Sequence, residues 1–230
     1  MTRDRPTGEK GFVKTRFREV IKLYERDSSL TYETLQSLCE AHPSHEAMRE
    51  VKAKILIIGR TFAAQIERKV ASDKSQGSSA GTVASHFVKH GKKIDKWITE
   101  IPTGDRLSEE GLSVVLRNHA RLVKLLSNIT IKKQDVPSFA SKYLHFHRPI
   151  VPIYDSEARR ALRRLVPLKR DRARPKLDKD PYRIFVMRLR ELNRQAIEDH
   201  EQPTIRELDQ YLMAEAKRMP RRRGKKRKSI

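Results

Sequence analysis

The chain has 230 residues, enough for one large domain or two small ones, and carries 51 Lys and Arg against 29 Asp and Glu, a formal net charge of +22. Such an excess repels itself in a compact fold and attracts polyanions, nucleic acid first, because phosphate neutralisation drives sequence-independent binding. No apolar run approaches the roughly 20 residues of a membrane span, the opening "MTRDRPTGEKG" holds no apolar signal core, and a single cysteine, Cys39, forbids an internal disulfide.

In chain order the pattern is helical. "FVKTRFREVIKLYER" places Val13, Phe17, Val20 and Ile21 on one face and Lys and Arg on the other. "SLTYETLQSLCEAH" predicts a short helix with Thr31 as its cap. "SHEAMREVKAKILIIGRTFAAQIERKVA" predicts one long helix capped near Ser44, with an apolar centre at Ile55 to Ile58. Gly59 inside it weakens a helix by about 1 kcal/mol relative to Ala, which marks close packing. Residues 72–81, "SDKSQGSSAG", are small and polar and predict a linker between helical regions 1–71 and 82–219. "TVASHFVKHGKKIDKWITEI", with a break near Gly91, and "SEEGLSVVLRNHARLVKLLSNI" continue the helical pattern. "YRIFVMRLRELNRQAIEDH" and "TIRELDQYLMAEAKRM" give two final helices. There is no strand pair, so the fold class is all-α. The tail 220–230, "PRRRGKKRKSI", has little to bury and is expected to be disordered when free. Its Arg221, Arg222, Arg223, Lys225 and Lys226 read as a basic arm for nucleic acid.

The segment 136–162 has an unusual shape. "VPSFASK" leads into a helical stretch that carries Lys142, a Pro-bounded apolar strip follows, and "VPIYDSEARRAL" sets Asp155 at the head of an arginine-rich helix. This arrangement resembles the helix-hairpin-helix DNA glycosylase superfamily, in which L-P-G-V-G-x-K joins two helices and an aspartate follows in a V-D-T-H-V-x-R context. Val136 and Pro137 then take the Leu and Pro places, Lys142 the place of the nucleophilic lysine and Asp155 that of the catalytic carboxylate. The chain departs from the pattern in three ways. Ser138 and Ala140 replace the two hairpin glycines. Lys142 and Asp155 lie only 13 positions apart. Glu157 stands near the place of the family's histidine.

The resemblance implies a fold of the glycosylase type and contacts from Ser138, Ala140 and Ser141 to a DNA phosphate. It also implies excision of a damaged or modified base, with or without lyase activity. The chemistry suits the residues. A carboxylate beside a sugar stabilises an oxocarbenium-like state or activates water, and a lysine amine can attack the sugar carbon to form a Schiff base. Asp155 is equally well placed to cap the following helix. Arg159, Arg160 and Arg163 on that helix suit phosphate tracking. His145 and His147 are two apart, which puts their rings on different sides of a helix, so no metal is expected. No cofactor is expected either. The expected partner is duplex DNA, in a cytoplasmic or nucleoid-associated setting. The competing reading is a catalytically inactive nucleic-acid-binding protein, for DNA or RNA, on the same scaffold.

Overall fold

The computed structural model describes residues 11–26, 30–64, 66–70, 78–167 and 180–219. Among them are ten α-helices: α1 (Lys14–Arg26), α2 (Leu30–Ala41), α3 (Met48–Thr61), α4 (Ser79–Lys89), α5 (Gly91–Glu100), α6 (Glu109–Ser127), α7 (Pro137–His147), α8 (Ser156–Leu165), α9 (Pro181–Glu198) and α10 (Ile205–Arg218). The described residues contain no strand, only an isolated bridge between Val70 and Thr130. The all-α class is therefore correct. None of the described helices is long and apolar enough to cross a membrane.

Helix starts follow local chemistry. The Ser78, Ser108, Asp155, Asp180 and Thr204 side chains each accept a hydrogen bond from a backbone N–H of the first turn they cap. This satisfies donors that have no partner within the helix. At Thr204 the Glu207 side chain reaches back to complete a capping box. Two predicted caps are displaced. Thr31 lies inside α2. The N-cap of α3 is Ala47, because Ser44 and His45 belong to the loop before it. Helix α4 starts at Ser79, inside the segment expected to be a linker; residues 72–77 of that segment lie outside the described residues.

The long helix expected from Ser44 to Ala71 also ends early. It stops at Thr61, Phe62 caps it, and Ala63 turns into the left-handed region at φ 51°. A short 3-10 turn, Ile66–Lys69, then carries the chain on. The break leaves carbonyls at the end of α3 without helical partners. One of them, that of Phe62, becomes part of the site below.

Helix α7 is central. Every residue from Phe139 to His147 is buried, including Ser141, Lys142, His145 and His147. A helix buried all round shows no amphipathic face. It packs against α2, α3 and α6, while α8 packs on α10 and α9, and α1 on α10. One apolar core runs from Phe12 in the N-terminal region to Ala216 in α10, so both regions flanking 72–81 contribute to it.

Gly91 sits where backbone meets backbone. A Cβ there would stand 2.8 Å from the His45 carbonyl oxygen and 3.2 Å from its Cβ. Neither contact is the free end of a side chain, so the loop before α3 would have to move. Gly91→Ala is expected to cost about 1–3 kcal/mol through overpacking, read as a lowered midpoint in urea unfolding. An unchanged midpoint would mean that the α4–α5 junction and the His45 loop adjust freely.

Candidate active site

Lys142 and Asp155 meet. Lys142 Nζ donates to Asp155 Oδ2 at 3.1 Å and also to the Phe62 carbonyl. The other carboxylate oxygen of Asp155 accepts the Glu157 N–H at 2.8 Å, so the residue caps α8 and pairs with lysine at once. The lysine side chain is 5% exposed and the aspartate 22%, which leaves one face of the pair open. That face opens into a cleft of about 330 Å³, in the size range of small-ligand pockets. Its walls are Tyr32, Phe62, Ile153 and Met213, and its polar groups are Lys142, Asp155, Arg206, Asp209 and Gln210.

The Pro-bounded strip aims Asp155. Ser141 Oγ accepts the Tyr154 N–H at 2.9 Å and donates to the Ser138 carbonyl. His145 Nδ1 donates to the Val151 carbonyl at 2.8 Å. Its Nε2 therefore accepts the Tyr32 hydroxyl at 2.7 Å, which fixes one wall of the cleft. Tyr182 donates to the Pro152 carbonyl at 3.0 Å. Three side chains from two helices thus hold residues 151–154 and place the aspartate that follows. Burial holds the His145 imidazole down at about 4, so it stays neutral in this role.

Asp209, on α10, was not singled out by the sequence. The residue is only partly buried as a whole, but its Oδ1 is sealed from solvent and has no hydrogen-bond partner among the described residues. Burial pushes its carboxyl up to about 7, and the neighbouring Asp155 carboxylate adds to the rise while Lys142 opposes it. Arg206 lies with its guanidinium carbon 3.9 Å from the Tyr32 ring centroid, a cation–π contact on the same wall.

Several residues expected to contact DNA are placed otherwise. Residues 137–140 form the first turn of α7 rather than a loop between helices, because Pro137 fits the N1 position, where no N–H is needed. Ala140 is fully buried and its N–H bonds the Val136 carbonyl, so it offers nothing to a phosphate. Ser141 is buried as well and is spent on the strip. Ser138 remains half-buried beside a cleft of about 390 Å³ that Arg68 and Lys69 also line. Arg160 is occupied by Glu157 and by the Ala216 carbonyl, which ties α8 to α10. Arg159 donates to the Tyr154 hydroxyl at 2.7 Å, and together with exposed Arg163 and with Arg188 it lines a small cleft between α8 and α9. Arg221, Arg222, Arg223, Lys225 and Lys226 lie outside the described residues.

A larger cleft, about 420 Å³, lies at the other end of α7, over Cys39, Asp95 and His147. Behind it Asp95 holds His45 Nδ1 at 2.5 Å and the Tyr143 hydroxyl donates to His45 Nε2 at 2.8 Å. Both nitrogens of His45 are thus engaged, and burial pushes the Cys39 thiol up to about 12, far from a reactive thiolate. The smaller cleft is the better candidate for chemistry, because Lys142 and Asp155 pair at its edge with Asp209 beside them, whereas burial lowers both His45 and His147 at the larger one toward the neutral form.

No curated protein and no solved structure matches the chain. A family model described as HI_0787_N, N-terminal domain, matches residues 16–151. The matched span contains Phe62 and Lys142 and stops before Asp155 and Asp209. It covers more than half of the chain, and on that ground the protein belongs to the HI_0787_N N-terminal domain family.

Proposed function

We propose that this chain is a DNA glycosylase-like protein, a divergent relative of the helix-hairpin-helix superfamily, that binds duplex DNA and excises a damaged or modified base. The observation that carries the reading is the 3.1 Å approach of Lys142 Nζ to Asp155 Oδ2 at the edge of an aromatic and apolar cleft. An extruded base needs such walls to stack on. The bond between base and sugar breaks through a cationic sugar. Asp155 stabilises that charge, or directs a water to the sugar carbon. Lys142 orients the carboxylate. If its amine attacks the sugar carbon itself, a Schiff base forms and strand cleavage follows. The net charge of +22 favours the phosphate backbone as partner.

A second reading, a nucleic-acid-binding protein without catalysis, draws support from the first turn of α7. Buried Ala140 and Ser141 do not form the phosphate-contacting loop that the resemblance implies.

A panel of duplexes, each with one modified base, separates the two readings when scored for released base and for strand nicks. Release from at least one duplex is the expected result. Binding to every duplex with no release from any would leave the inactive binding protein as the function.

A further inference from the structure

The cleft holds two carboxyl groups in opposite circumstances. Asp155 is fully engaged, one oxygen with Lys142 and the other with the Glu157 N–H. Asp209 Oδ1 is sealed and has no partner among the described residues. A buried polar atom left unpaired costs about 1–3 kcal/mol, and native structures keep few such atoms without a use.

The groups facing Asp209 explain why it stays unpaired. From α7 comes Lys142, already committed to Asp155 and the Phe62 carbonyl. From the head of α8 comes Asp155 itself. From α2 comes Tyr32, whose hydroxyl is held by His145. On its own helix Arg206 lies over the Tyr32 ring, and Gln210 is uncharged. No cation in this set is directed at Asp209 ahead of Asp155; burial first, and then the Asp155 carboxylate, push its carboxyl up to about 7, with Lys142 opposing.

We propose that Asp209 is the general acid of the site, which delivers its proton to the departing base while Asp155 faces the sugar. The inference rests on the glycosylase reading above. The bond between the sugar carbon and the base nitrogen breaks, and its electron pair goes to the base. The Asp209 proton moves to a ring nitrogen or carbonyl oxygen of that base, leaving a carboxylate. Water adds to the sugar carbon and gives up a proton to Asp155. One carboxyl is protonated before the step and the other is paired, the division of labour that an acid and a base need at one centre. Asp209 is a catalytic residue in this scheme: Oδ1 is sealed, so the proton leaves from Oδ2 of a side chain that lines the cleft.

The test uses the full chain and two duplexes, one with a single 1,N6-ethenoadenine and one with a single 7-methylguanine. Ethenoadenine is neutral and its departure is helped by a proton. 7-Methylguanine is already cationic and needs none. Wild-type release of the neutral base should fall tenfold per pH unit above about 7. Asp209→Asn should lower that release about 100-fold or more and remove the fall with pH. Release of 7-methylguanine by the same variant should fall far less than release of the neutral base, and an unchanged far-ultraviolet circular dichroism spectrum shows that it folds. Asp209→Glu should recover part of the loss. Equal losses on both bases, or a fall with pH that persists in Asp209→Asn, would overturn the acid role and leave the glycosylase reading standing. Release of neither base, with none from the wider panel, would remove the reading and the acid role together.

Discussion

Asp155→Asn should slow base release by about 1,000-fold while the protein stays folded. Asparagine caps helices about as well as aspartate, so the bond to the Glu157 N–H survives. What is lost is the negative charge that faces the sugar, and removing one such stabilising group costs about 100- to 1,000-fold or more in rate. Lys142→Gln tests the other half of the pair. If the lysine amine attacks the sugar, borohydride should trap wild-type protein on its DNA and should trap none of the variant. DNA binding should change little, since one charge among 51 Lys and Arg is removed. Stability should suffer more than binding. Lys142 supplies hydrogen bonds to a carboxylate and to the carbonyl at the end of α3, and breaking a buried pair by removing one partner costs about 3–5 kcal/mol, less where a shorter donor takes its place. Base release by wild type without trapping would make Lys142 a positioning residue. Full release by Asp155→Asn would reduce the aspartate to a helix cap and sink the enzymatic reading of the pair.

Acid should destabilise the fold steeply, between pH 6.5 and about 4. His119 and His145 are both buried, and burial lowers each from an ordinary 6.5 to about 4. Their rings donate to the carbonyls of Pro137 and Val151, which frame the start of α7 and the strip before Asp155. His147 is lowered further, again by burial first. The unfolded chain takes up protons on these residues below 6.5, whereas the folded chain refuses them until about 4. Stability is therefore fully present above 6.5 and declines as pH falls through that window. His119 and His145 contribute up to about 3 kcal/mol each, at about 1.4 kcal/mol per pH unit. Together that rivals the whole stability of many domains, about 5–15 kcal/mol. Asp209 works in the opposite sense. Its carboxyl is raised to about 7, so the folded chain holds a proton that the unfolded chain releases, and stability falls as pH rises from about 4 to 7. Asp209→Asn should remove that opposing slope, making the acid-side decline steeper and the protein more stable above pH 7. Urea unfolding of both proteins from pH 4 to 8 reads this directly. A midpoint independent of pH in the wild type would mean that these histidines are not held neutral in the fold.

The sequence by itself determined the helical class and the positions of most helices. Apolar residues recur at helical spacing, and Asp155 stands where a first turn needs a side-chain acceptor, whereas the caps expected at Thr31 and Ser44 are displaced. It also singled out Lys142 and Asp155, through a local pattern of lysine, Pro-bounded strip and aspartate. That pattern misled at 137–140, where a loop was expected. A proline heads a helix as readily as it joins two, and only the burial of Ala140 against the neighbouring helices decides between them. The break after Thr61 was hidden for a similar reason. "RTFAAQIER" has good helical propensity, and the end of α3 depends on the Phe62 carbonyl finding Lys142, 80 positions away. Asp209 was the least legible of all. It is one acidic residue in an ordinary amphipathic helix, beside the core positions Leu208 and Leu212. Its character comes from the packing of α8 on α10, which seals one oxygen and sets Asp155 nearby. Periodicity reports which face of a helix is apolar. Which polar group meets which across that face, and which is left without a partner, is decided only when the helices dock.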